Sequence, residues 1–342
     1  MKNNKGVTIY DLAKELNVSP STVSRALKGH HSIGKETIEA VKKLAQQRGY
    51  QPNRIAASLR QNKTDTIGVM IPLIHRPFIS SLISGVEIAA KEMGYNVIIS
   101  QSHDSYEDEV SNAGVLYASR VSGLVVSLAM ETQNYDHFKQ FIDNGIPVVF
   151  VDRVAEKLNL DTVVIDNFSA GFEATCHLIE QGCKRIAHFA GAQHRNVYRE
   201  RQEGYLEALK RHHLPIDESL IVYSNNLDAD QGWKSAEYLF SLPNPPDGIF
   251  SANDTAAVSA IQFMKKTGIQ IPDKVAIIGF NNDPASSIID PQLSTVMHPA
   301  IDMGKIAAQQ VLKQKKLDNI VKSETIVLKT TLIIRESSLR KK

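Results

Sequence analysis

Ser19, Ser21, Thr22, Ser24 and Arg25 stand within seven consecutive residues, broken only by Pro20 and Val23. At helical spacing Ser21 and Arg25, four apart, share one face, with Thr22 and Ser24 beside them. Short hydroxyls of this kind reach phosphate oxygens, and an arginine can make a two-pronged bond to O6 and N7 of guanine. The chemistry on offer is the reading of a duplex, and it needs a rigid helix to aim these side chains.

The flanking residues supply that helix and its support. Leu12, Ala13 and Leu16 form one apolar stripe of a first helix, and Asn17 suits a turn in the left-handed conformation. Ser19 is a good N-cap, Pro20 fits the first helical position, and Val23, Ala26 and Leu27 face inward on a second helix. Ile38, Val41, Leu44 and Ala45 mark the core face of a third. Two short helices closed by a third form the arrangement that lays its second helix in the major groove, although a packing module without a DNA role has the same pattern. Charge favours the first reading. Residues 1–63 hold twelve Lys or Arg and four Asp or Glu, a net of +8, whereas the rest of the chain has 27 basic and 33 acidic residues, a net of −6.

Residues 52–60 (PNRIAASLR) are too few to hold a helix alone. Pro52 can start one, Asn53 is polar at its opening, and Ala56 with Leu59 make a small apolar edge. A plain amphipathic linker reads the same way.

From Thr66 the pattern changes to short apolar runs separated by amphipathic stretches. TIGVMI (66–71), NVIIS (96–100), GLVVS (123–127), PVVFV (147–151), RIAHFA (185–190), LIVYS (220–224), GIFSA (248–252), VAIIGF (275–280) and ETIVLKTTLII (324–334) are the expected strands. Alternation of such runs with helices implies an α/β fold of parallel sheets covered by helices. Nine strands divide better between two lobes than into one sheet, and the strand ends facing each other between lobes make a ligand cleft. The expected division is a helix-turn-helix domain over 1–50, a hinge helix and linker over 51–63, and a binding and dimerisation body over 64–342. Within the body the N-lobe is expected at about 64–162 and 291–323, and the C-lobe at about 163–290 and 324–337.

Several classes are excluded. At 342 residues, 42% hydrophobic and 22% charged, the composition is that of a folded multidomain protein. No apolar run approaches a membrane span, and the opening MKNNKGVTIYDLAKEL lacks the apolar core of a signal peptide, so the expected place is the cytoplasm. Cys176 and Cys183 are expected as buried reduced thiols, and neither they nor the pairs His30–His31 and His212–His213 have metal-ligand spacing, so no metal or cofactor is expected. There is no GxSxG, no GxGxxG after a strand and no Walker loop, which argues against an enzyme.

VTIYDLAKELNVSPSTVSRAL and GYQPNRIAASL resemble the DNA-binding head of the LacI/GalR family of bacterial transcription regulators, and the likeness extends more loosely over nearly the whole chain. The resemblance implies a periplasmic-binding-protein-like body and places the major-groove positions on Pro20, Ser21, Thr22 and Arg25. Pro20 offers only apolar contact, for example to a thymine methyl. Thr8, Tyr10, Ser19, Ser24 and Asn53 fall to the phosphates. Residues 52–60 become a hinge helix that folds over DNA, with Leu59 wedged into the minor groove and Ala56 packed beside it.

For the effector, the resemblance places Phe78 and Ile79 on one cleft wall, Asp152 at the floor of the N-lobe, Arg199 reaching from the C-lobe, and Asn253 and Leu227 on the second wall. Asp152 and Arg199 could instead pair with one another or with neighbours, and Phe78 could be core. Where the family usually has Asp after its GF dipeptide this chain has Asn281, so either the ligand presents an acceptor there or Asp283 takes the role. The expected partners are an operator duplex, a second copy of the chain and a small effector, sugar-like or nucleobase-like. A protein partner or a purine corepressor as the signal is the nearer alternative, and a sugar-binding protein without a DNA role the more distant one. Substituting Leu59 by Ser is expected to abolish operator binding in a gel-shift assay while circular dichroism reports a folded body; wild-type affinity in that variant contradicts the wedge.

Overall fold

The computed structural model describes residues 7–50, 64–316 and 323–340. Asn53, Ala56 and Leu59 therefore lie outside the described residues, as does the whole hinge segment. The chain divides into two compact units between Thr64 and Asp65.

The first unit is built from α1 (Ile9–Glu15), α2 (Pro20–Leu27) and α3 (Lys35–Gln47). Thr8 starts α1 with a capping box: its hydroxyl accepts from the Asp11 amide, and the Asp11 carboxylate accepts from the Thr8 amide at 2.8 Å. Asn17 takes the turn at φ 50°, and Ser19 caps α2 with Pro20 at its first position. Leu12, Ala13, Val23, Ala26, Val41 and Ala45 are buried between the three helices, with Leu16, Leu27, Ile38 and Leu44 packed partly buried around them.

The second unit has two six-stranded sheets. The first, in the order β11-β5-β4-β3-β1-β2, is parallel throughout. Its strands are β1 (Thr66–Ile71), β2 (Asn96–Gln101), β3 (Gly123–Val126), β4 (Val148–Val151), β5 (Asp161–Ile165) and β11 (Thr325–Leu328). The second, in the order β12-β10-β9-β8-β6-β7, is parallel except for its edge strand β12 (Thr331–Ile333), which runs against β10 (Ser294–Met297). Its remaining strands are β6 (Ile186–Ala190), β7 (Ile221–Tyr223), β8 (Gly248–Ser251) and β9 (Ala276–Asn281). Central strands such as β3, β4, β6 and β8 are buried along their whole length, which is why they read as unbroken apolar runs.

Two strands escaped the sequence reading. DTVVI and STVM are short and each opens on two polar residues, so neither stands out as a long apolar run. The segment 324–334 is also two strands rather than one, because β11 pairs with β5 in one sheet and β12 with β10 in the other. The lobe boundaries move accordingly. The chain passes from the first lobe to the second after Ile165, back after Met297, and across again between Leu328 and Thr331. The expected returns at 291 and 324 fall one strand too early.

Helices α4 (Pro77–Glu92) and α11 (Ala300–Lys316) cover the first sheet and cross with no side chain between them. A Cβ on Gly85 would lie 2.0 Å from the Ile301 carbonyl oxygen, and one on Gly304 the same distance from that of Leu82. Gly85→Ala gains about 1 kcal/mol of helix propensity but forces two backbones apart, at about 1–3 kcal/mol. The expected outcome is a lower urea midpoint, and a raised one contradicts the close crossing.

Candidate functional site

On the head, Ser21 and Arg25 are exposed on α2, and Thr22 and Ser24 are half-buried beside them. The Ser19 hydroxyl holds this face together. It accepts from the Thr22 amide at 3.1 Å and shares hydrogen bonds with the hydroxyls of Ser21 at 2.7 Å and Thr22 at 2.9 Å. Tyr10 is 70% exposed at the start of α1. The Thr8 hydroxyl is committed to the Asp11 carboxylate at 2.7 Å.

In the body, the ends of the strands meet between the lobes around an inner chamber of about 50 Å³. Phe78, Ile79, Asp152, Asn253, Asn281 and Asp283 all stand on its wall, together with Arg76, Arg153, Tyr198 and Arg201. Asp152 follows β4 at φ 62°, and burial raises its carboxyl above the ordinary range against the pull of Arg153, Arg201 and Arg76. Arg153 is taken up by Asp104 at 2.5 Å.

Arg201 is different. It projects from α8 (Asn196–Arg211) and donates to the Asn167 side-chain oxygen at 2.9 Å and the Ala252 carbonyl at 2.8 Å. Its guanidinium lies 3.6 Å above the centre of the Phe280 ring. No carboxylate bonds to it among the described residues, and burial pulls its pKa down to about 10.

Two expected residues lie off the wall. Arg199 turns to the surface, where it meets Glu156 at 2.6 Å with Glu200 and Glu203 nearby. Two residues along a helix are about 200° apart, so Arg199 and Arg201 point in nearly opposite directions, and it is Arg201 that enters the chamber. Leu227 is buried in the core of the second lobe, and only its carbonyl matters to the wall, accepting from Asn253 Nδ2 at 2.7 Å. The Asn253 side-chain oxygen is also committed, capping α10 (Asp254–Lys266) at the Ala256 amide. Asn253 thus shapes the wall with both ends of its amide tied.

The loop after β9 carries the departure at Asn281. Asn281 and Asn282 are left-handed at φ 113° and 56°, and the Asn282 oxygen accepts from Arg335 at 2.7 Å. These turns deliver Asp283 to the chamber. Its amide donates to Asp254 Oδ2 at 2.7 Å, while its carboxylate, 7% exposed, takes no hydrogen bond among the described residues. Burial raises the Asp283 carboxyl to about 6 and the wholly buried Asp254 carboxyl to about 7, the latter against a hydrogen bond from Thr295.

Polar contacts join the lobes around the chamber. Arg76 of the first lobe donates to Asn226 of the second at 3.0 Å. Asn196 grips the Asp152 carbonyl at 3.0 Å and the Val154 amide at 3.2 Å, and the fully buried Arg195 donates to the carbonyls of Met130 and Thr132. Arg76, Arg153, Tyr198, Arg201 and Asp254 were not singled out from the sequence. The RNVYRER segment holds three arginines within seven residues, and only the exact phase of α8 selects among them.

Cys183 is buried with its thiol pushed up to about 12, but Cys176 is only half-buried and lies 3.6 Å from His212, because α7 (Asn167–Glu180) turns it outward. Among the described residues no three His, Cys, Asp or Glu could hold a metal, and no helix is long and apolar enough to cross a membrane.

A helix-turn-helix unit and a two-lobed α/β unit with a polar cleft are the parts of a DNA-binding protein that also carries a ligand-binding body. Comparison with known proteins gives the family. The model of bacterial regulatory proteins of the lacI family matches residues 8–53, and that of a periplasmic binding protein-like domain matches residues 175–338. The HTH-type transcriptional repressor CytR of Escherichia coli (strain K12) is 32% identical over 337 residues, 98% of each chain. Catabolite control protein A of Priestia megaterium is 31% identical over 97% of this chain and 99% of its own. Among solved structures, the transcriptional regulator CelR–cellobiose complex superposes with a TM-score of 0.73 at 28% identity, over 97% of this chain and 99% of that one. The lac repressor dimer bound to operator and the anti-inducer ONPF shares the fold, with a TM-score of 0.88 at 22% identity over 98% and 100%. The chain belongs to the lacI family of bacterial regulatory proteins: it is a DNA-binding transcriptional regulator and not an enzyme.

The raised Asp254 carboxyl has a sign that stability measurements read. A carboxyl whose folded pKa lies above its unfolded value binds more protons when folded, so its contribution falls as pH rises from about 4 to about 7. Wild type is expected to lose stability relative to Asp254→Asn across that window, by a few kcal/mol in urea titrations, and a pH-independent difference contradicts the burial argument.

Proposed function

We propose that this regulator is a repressor that works in the cytoplasm, binds a pseudo-palindromic operator as a homodimer, and changes operator affinity when a small neutral sugar or sugar derivative enters the cleft. The carrying observation is the pairing of an arginine and a carboxylate, each lacking an opposite charge bonded to it, on one chamber wall. Arg201 needs acceptors and Asp283 needs donors. Hydroxyl groups supply both. Two relatives at 28% identity were solved with sugars bound, one with cellobiose and one with D-xylulofuranose. The proposed effector contacts are Phe78, Ile79, Asp152, Asn281 and Asp283, with Arg201 in the place first given to Arg199 and Asn253 holding the wall.

On the head, Ser21, Thr22 and Arg25 read base edges, Pro20 gives apolar contact, and Tyr10 and Ser24 meet phosphates. Thr8 and Ser19, with hydroxyls committed to caps, act through the helix starts they fix. Asn53, Ala56 and Leu59 keep their hinge role on sequence grounds alone. The working division is residues 1–50, 51–63 and 64–342. Two-fold symmetry matches two heads to two half-sites, since one head offers too few contacts. The exposed Ile98 and Ile99 on the edge strand β2 and Ile88 on α4 suit burial against a second copy.

The test is selection of binding sites from a random duplex library, repeated with a metabolite panel. On the selected operator, Arg25→Ala is expected to lose about 1–3 kcal/mol, roughly tenfold to a hundredfold, by fluorescence anisotropy, with non-specific binding at low salt unchanged. Equal losses on specific and random duplexes contradict base reading by Arg25.

A further inference from the structure

Beyond Phe78 the cleft continues into a more open groove of about 380 Å³. Pro77, Phe78, Asn281 and Asp283 line both spaces, so Phe78 and Asp283 stand on the boundary between them. The inner chamber, at about 50 Å³, has room for one or two waters and admits a ring only when Phe78 turns aside or the lobes part. The groove is already within the range of small-ligand sites.

Its chemistry is specific. Met297, Pro299 and Ile301 give apolar faces, and Ser81, Asp283 and Asp302 give hydrogen-bonding groups between them. No Lys or Arg lies on its wall, so a phosphate has nothing to hold it there. Two polar groups on this wall have no hydrogen-bond partner among the described residues. The Asp283 carboxylate takes no hydrogen bond among the described residues, and His298, 6% exposed, has neither ring nitrogen bonded. His298 is sandwiched instead, stacked on Phe78 at 4.1 Å and edge-on to Phe280 at 6.0 Å. A carboxylate on the groove wall with no protein donor marks a place where a ligand's hydroxyls supply the missing bonds.

We propose that this groove is a second subsite of the effector site, and that the effector is therefore a neutral two-ring sugar of disaccharide size. One ring lies against Arg201 and the other against Met297, Pro299 and Ile301, with Asp283 bonding hydroxyls near the linkage. The proposal rests on the reading of the inner chamber as the effector site.

The experiment is isothermal titration of the full-length protein with cellobiose, maltose, sucrose and trehalose, alongside glucose, fructose, glucose 6-phosphate, adenosine and uridine. A disaccharide is expected to bind at least about tenfold more tightly than its component monosaccharides. Ser81→Phe and Ile301→Trp fill the groove from opposite walls; each is expected to lower disaccharide affinity at least about tenfold and leave monosaccharide affinity unchanged, with the wild-type melting temperature as the folding control. A tightest ligand that is a single ring, a phosphate or a nucleoside overturns the proposal, as does a panel in which no disaccharide binds. Disaccharide affinity unchanged in both groove variants overturns it too. Arg201→Met separates the two readings: loss there with none in the groove variants leaves the inner site standing alone, and loss in the groove variants with none at Arg201 removes the inner site.

Discussion

A guanidinium buried without a carboxylate bonded to it is an unstable thing to build a protein around, and Arg201 sits at the meeting point of the two lobes in that condition. Its charge is held by one amide oxygen, one carbonyl and the face of Phe280. Water is the better solvent for such a group, so any parting of the lobes that wets Arg201 is favourable to it. A ligand offering acceptor oxygens opposes that tendency by restoring in the closed cleft what burial removes. Two opposed tendencies of this kind make a two-state element, which is what a switch requires.

The topology explains why the junction carries so much polarity. Three passages of the chain between the sheets bring the ends of parallel strands face to face, and strand ends present loops, helix starts and unpaired backbone groups. Arg195, Asn196 and Arg76 satisfy many of these across the gap. Asp254 does so within the second lobe, fixing the loop that carries Asp283. His298 lies on the second passage, one residue after β10, so the groove outside Phe78 is bordered by a segment on which the lobes turn. A ligand bridging chamber and groove would bear on that segment directly.

Much of this was legible in the sequence. The head could be read almost residue by residue, because caps, a left-handed asparagine and three apolar stripes are local signals that no tertiary context overrides. The two-lobed body was also legible from the strand-helix alternation, but β5 and β10 were not, since each is short and opens on two polar residues. The lobe boundaries went astray because a crossing between sheets leaves no mark in composition. The site was legible where a residue follows a strand end, as at Asp152, Asn253 and Asp283. It was not where the choice depended on helical phase, as between Arg199 and Arg201, or on a single loop residue before a helix, as at Arg76. The departure at Asn281 leaves the chamber wall a carboxylate two residues on, at Asp283, and both side chains stand on that wall.

The most direct test of the coupling is operator binding by wild type and Arg201→Met, followed by fluorescence anisotropy with and without the neutral sugar that most raises the wild-type melting temperature. The account predicts a sugar-dependent shift in the wild type and an operator affinity in the variant that no longer depends on the sugar. A variant whose operator affinity shifts with the sugar as the wild type's does contradicts it.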